Sequence, residues 1–164
     1  MEAAHVTDHT ETDQQANADA DRILIADATD QRRALAVQQL TQAGYVVEAV
    51  TDAADAWRSL RRAPARLVLL EVKAPDLAGL EVLTRIRSGR VAPDTPVILI
   101  VSGMRDNDVD AGISLGATEF LVKPFSAREL LLRVDSVLRN TVEIRGPWDE
   151  YTPRHRSAPV AAGR

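Results

Sequence analysis

Five short apolar runs recur through the middle of the chain, and four of them stop at a polar side chain. ILIA at 23–26 ends on Asp27, LVLL at 67–70 on Glu71, VILIV at 97–101 on Ser102, and the run at 118–122 on Lys123. The fifth run, YVVEAV at 45–50, has no such ending. An unbroken apolar run of this length reads as a strand buried on both faces, the kind found in parallel sheets. Helical periodicity fills the intervals. Asp30 is placed to cap a first helix with Leu35, Leu40 and Ala43 inward and Gly44 as its stop. Residues 51–62 turn Ala56, Trp57 and Leu60 toward the sheet, and Pro64 closes that helix. Leu80, Leu83 and Ile86 keep helical spacing after Gly79; Val109 and Ile113 mark a weaker helix over 106–115, stopped by Gly116. Ser126 caps a last helix that carries Leu130, Val134, Val137 and Leu138.

Strand and helix alternating five times over residues 22–140 predict an α/β fold with a parallel sheet, helices on both faces and right-handed crossovers. Such a sheet gathers the strand ends at one edge, where α/β folds place ligand sites. Asp27, Glu71, Ser102 and Lys123 therefore share one candidate pocket.

Composition narrows the class. The 164 residues suit one domain with a sizeable core, and 45% hydrophobic with 27% charged residues is the balance of a soluble globular protein. There is no cysteine, so disulfides and thiolate metal sites are excluded. No apolar run approaches the roughly 20 residues of a membrane helix, and the start has no secretory pattern. A cytoplasmic protein, off the membrane, is expected. A net charge of −4 gives no drive toward nucleic acid. Residues 1–21 carry six acids and no Lys or Arg and read as a disordered acidic tail; 141–164, with three prolines and no periodicity, read as a flexible tail too short for a DNA-binding effector domain. Of 20 basic side chains only Lys73 and Lys123 are lysines, and both follow apolar runs. Lysine is a compact point charge and arginine a planar fork, so a tight carboxylate pocket suits the former.

The motifs ILIAD at 23–27, GYVV at 44–47, LVLLEVKAPDLAGLEVL at 67–83, PVILIVSG at 96–103 and GATEFLVKPFSARELLLRV at 116–134, in this order, resemble the receiver domain of bacterial response regulators, chemotaxis receivers included. The resemblance covers nearly all of 22–140. It implies a flavodoxin-like five-stranded sheet in the order 2-1-3-4-5 and a place in two-component phosphorelay signal transduction. In that family a strand-end Asp accepts a phosphoryl group from a histidine kinase, acids after the first strand help hold Mg²⁺, and a Ser or Thr and a Lys contact the phosphoryl group. The resemblance also implies a cis Lys123–Pro124 bond.

This chain departs from that pattern at its centre. The phosphoacceptor position holds Glu71, the second acid of the first-strand pair is Ala28, and Lys73 stands two residues after Glu71. Ser102, Lys123 and Phe120 match the switch hydroxyl, the lysine and the switch aromatic. With Lys73 counted in, Asp27 and Glu71 oppose two lysines and the pocket is formally neutral. Mg²⁺ sheds water reluctantly and leans on carboxylates, so its binding is expected to be weak or lost, with Asp27 the only metal ligand left. The extra methylene of Glu71 displaces its oxygens from in-line geometry, and a misplacement of about 1 Å can lower a rate roughly a hundredfold.

The leading expectation is an atypical, stand-alone pseudo-receiver without catalysis, acting through protein–protein contact with a kinase, an effector or another regulator, in which Glu71 reaches Lys123 and Ser102. The alternative is a receiver that is phosphorylated weakly. A third reading, a flavodoxin-like cofactor binder, needs a glycine-rich phosphate loop after the first strand, and the sequence there is Asp27–Ala28–Thr29–Asp30. Glu119, Glu129 and Arg133 resemble residues of a family dimer face, so a weak homodimer is a further expectation. Asp76 reads as a loop acid.

Overall fold

The computed structural model describes residues 21–73, 77–89, 91–102 and 106–140. The expected tails, apart from Asp21, lie outside the described residues, as does Asp76. Five strands, β1 (Ile23–Ala26), β2 (Val47–Val50), β3 (Leu67–Val72), β4 (Val97–Ser102) and β5 (Glu119–Lys123), form one parallel sheet in the order β2-β1-β3-β4-β5. Five helices connect and follow them: α1 (Asp30–Gln42), α2 (Ala53–Arg62), α3 (Ala78–Ser88), α4 (Asp106–Ser114) and α5 (Ala127–Asn140).

Alternation along each strand divides the core between two faces. Leu24, Ala26, Val68, Leu70, Leu99, Val101 and Phe120 meet α2, α3 and α4; Ile23, Ile25, Leu67, Leu69, Ile98, Ile100 and Leu121 meet α1 and α5. Leu60, Leu83 and Ile86 seal the first face, and Leu40, Leu130 and Val134 the second. The strands of the sheet centre are apolar at every position except Glu71 and Ser102, near their carboxyl ends, because both faces are covered.

Several local details differ from the sequence reading. Leu35 is 54% exposed and Ala43 is exposed; α1 buries Ala36 and Leu40 instead. Positions 36 and 40 are four apart and share one stripe, from which position 35 is turned by about 100°. Thr29, not Asp30, is the extended residue before α1, and the Asp30 carboxylate pairs with Arg33 at 2.5 Å. β2 starts two residues later than the apolar run because the Tyr45 amide donates to Leu40 O (3.0 Å). β5 starts after Thr118, whose hydroxyl accepts from Val97 N (2.9 Å). Trp57 is half-buried on the first face, and the Arg85 guanidinium lies 5.9 Å from its ring centroid. Gly44 and Gly116, at φ 93° and 88°, take the left-handed turns that end α1 and α4. The Lys123–Pro124 peptide is cis.

Candidate functional site

The sheet order explains why one lysine can serve two acids. β1 and β3 are neighbours, so Asp27, just past β1, and Glu71, near the end of β3, lie side by side at the carboxyl edge. Lys123 ends β5, two strands from β3 and three from β1, and its long side chain crosses the end of β4 to reach both acids. Its Nζ stands 2.9 Å from Asp27 Oδ2 and 2.6 Å from Glu71 Oε1. Lys123 and Asp27 are buried, with side chains 3% and 2% exposed, and Glu71 is largely covered at 11%.

The remaining carboxylate oxygens also have donors. Glu71 Oε2 accepts from the Ala28 amide at 2.8 Å, and Asp27 Oδ1 accepts from the Thr29 amide at 2.8 Å. A buried ion pair survives only when its leftover hydrogen-bonding capacity is met in this way. The helix that follows is drawn close by Gly79. A Cβ at that position would stand 2.4 Å from the Glu71 carbonyl oxygen, so only glycine lets α3 begin against the end of β3.

Lys73 is exposed and pairs with neither acid among the described residues. The expected neutral pocket is therefore corrected: Asp27 (−1), Glu71 (−1) and Lys123 (+1) leave the buried cluster at −1. Ser102 closes β4 with its side chain exposed, and among the described residues no hydrogen bond joins it to Glu71. Among the described residues the expected Glu71–Ser102 contact is not formed: Ser102 stands exposed, while Lys123 and the Ala28 amide hold the Glu71 carboxylate. Phe120 is packed inward on the first core face.

The residues of the candidate dimer face make contacts within the chain. Glu119 is buried, and its Oε1 takes the Phe120 amide (3.1 Å) and Arg133 Nη1 (3.3 Å) within the chain. Glu129 uses its amide on the Ser126 hydroxyl at the start of α5 (3.1 Å).

Among the described residues no three His, Asp or Glu side chains come together as a metal cage. A divalent cation at the strand ends would share these oxygens with Lys123 and the two backbone amides. The two amides and Gly79 were not evident from sequence, since a backbone N–H carries no residue-type signal and a glycine's neighbour is set by the fold.

A family model described as the response regulator receiver domain matches residues 23–135. The chain is 34% identical over 143 residues to the transcriptional regulatory protein GltR of Pseudomonas aeruginosa, covering 82% of this chain and 59% of that protein. It is 34% identical over 131 residues to the transcriptional regulatory protein HprR of Escherichia coli, covering 76% and 57%. The chain thus spans somewhat over half the length of these two relatives. Among solved structures, a CheY-like receiver domain protein of Methanospirillum hungatei superposes with a TM-score of 0.69 at 25% identity, over 75% of this chain and 97% of that one. The Vibrio cholerae chemotaxis protein CheY4 gives 0.66 at 26% identity, over 72% and 98%.

Proposed function

Because this chain belongs to the response regulator receiver domain family, we propose that it is a receiver whose signalling output does not depend on phosphorylation. Receivers of this family work in two-component signalling through contacts with kinases and effectors, as phosphoacceptors more than as enzymes. One observation carries the reading: all four oxygens of Asp27 and Glu71 are engaged by Lys123 and by the amides of Ala28 and Thr29. Glu71 thus satisfies its lysine without a phosphoryl group. With Ala28 in place of an acid, little remains to hold the metal that would offset charge on a transferring phosphoryl group. The module then acts by presenting a fixed surface to a signalling protein.

A second reading, slow phosphorylation at Glu71, is favoured by one feature. Lys73 points away, so the cluster keeps a net negative charge that attracts cations better than a neutral one. Intact mass separates the two. After incubation of the full chain with a small acyl-phosphate donor and Mg²⁺, the first reading expects at most a trace of a species about 80 Da heavier, the mass of a phosphoryl group in place of a proton. A substantial adduct, absent from Glu71→Ala, establishes the second.

A further inference from the structure

Gly112 lies on the inner side of α4, and the space where a side chain would begin is already occupied. A Cβ there would stand 2.7 Å from Phe120 Cζ, 2.9 Å from Phe120 Cε1 and 2.9 Å from Leu99 Cδ1. The Phe120 ring, 6% exposed, thus fills a notch that exists only because residue 112 has no side chain. Leu99 stands opposite Phe120 on the neighbouring strand and closes the notch from the sheet side. The ring holds this place while, among the described residues, no hydrogen bond joins Ser102 to Glu71.

We propose that the Gly112 notch is a steric lock: it fixes the Phe120 ring inward and seats α4 on β4 and β5, independently of the state of Glu71. An aromatic ring is rigid beyond χ2, so it cannot yield to a new methyl as the tip of a leucine can. The ring and any side chain at residue 112 therefore exclude one another. The proposal stands whether or not Glu71 takes phosphate.

The sign of one substitution tests it. Glycine to alanine inside a helix ordinarily stabilises, because alanine has the better helix propensity and restricts the unfolded chain. Here Gly112→Ala should instead lower the melting temperature of the full chain by about 5 °C, the scale of a modest overpacking penalty. In a Phe120→Leu background, which removes the ring, the same Gly112→Ala change should raise the melting temperature. The ring can also be followed directly, by nuclear Overhauser contacts between Phe120 and the Leu99 methyls. These should persist in Glu71→Ala and be lost in Gly112→Ala, a readout that does not require the Leu variant to fold. Stabilisation by Gly112→Ala in the wild-type background, or loss of the ring contacts in Glu71→Ala, overturns the proposal.

Discussion

The two ends of the sheet each bury a cation, and they treat it in opposite ways. At the amino edge Arg22, just before β1, is almost wholly buried. Its guanidinium donates to Pro64 O (2.5 Å), Ala63 O (2.8 Å) and the Ser59 hydroxyl (3.1 Å), and its Nε lies 2.8 Å from Glu48 Oε2. Ser59 and Arg62 bind the same Glu48 carboxylate from α2. One carboxylate and a ring of carbonyls thus surround a planar fork that fits them, and this clasp ties α2 to β1 and β2. At the carboxyl edge a single ammonium stands between two carboxylates drawn from separate strands. The first cluster spends its cation on backbone and on a shared acid; the second keeps one negative charge over. Geometry that holds chain together needs neutralisation, whereas surplus charge in a cleft is where chemistry or recognition can be placed.

The comparison is broken most severely by Lys123→Met. Two buried acids lose their cation, and the domain should lose about 4 kcal/mol at pH 7, the range for breaking a buried pair. Denaturant unfolding of both chains at pH 7 measures this, and a deficit below about 1 kcal/mol would show that the two acids do not depend on the lysine.

Arg22→Met should lower stability by about 3 kcal/mol, less than Lys123→Met, since Glu48 is partly exposed and retains Arg62. A loss equal to that of Lys123→Met would erase the distinction between the two edges. Glu71→Ala should be milder, about 1–2 kcal/mol, because Lys123 keeps Asp27 and the freed Ala28 amide can turn to water. Calorimetric melting of this variant beside Lys123→Met ranks the two.

The smallest effect lies at the amino edge, where the Tyr45 hydroxyl donates to Asp135 Oδ1 at 2.5 Å and Arg139 pairs with Oδ2. The Tyr45 hydrogen bond, more than Arg139, holds the Asp135 carboxyl below its ordinary value, and the same bond raises Tyr45. A lowered carboxyl contributes stability that is present above its unfolded pKa and lost as pH falls through the folded one. Tyr45→Phe should therefore cost less than about 1 kcal/mol at neutral pH, solvent screening keeping it small, and should converge with wild type in acid. Stability curves from pH 2 to 7 decide it.

The strands were legible because apolar runs of four or five residues have few alternatives between two helical layers, and their polar ends followed from parallel topology. Asp27, Glu71 and Lys123 come together for that reason. The direction of Lys73 was not legible, since a loop residue after a strand can face either way. The place of Leu35 was lost to a rotation of one residue about the α1 axis, which leaves the spacing pattern nearly unchanged. Arg22 carried no signal in the sequence, and only the packing of α2 against β1 reveals it as a buried cation. The role of Gly112 depends on a ring eight residues away on another element.

The strand order also sets a timetable. β1 and β3 are flanked by strands on both sides, and β5 lies at the edge of the sheet with β4 as its single neighbour. Edge strands open and exchange their amide protons sooner than central ones. Asp27 and Glu71 are thus anchored to slow-opening backbone, and the lysine between them to backbone that opens first. Each brief detachment of β5 bares two facing carboxylates without moving either, so the amide of Lys123 should exchange faster than that of Leu70, and faster still in any variant that loosens α5.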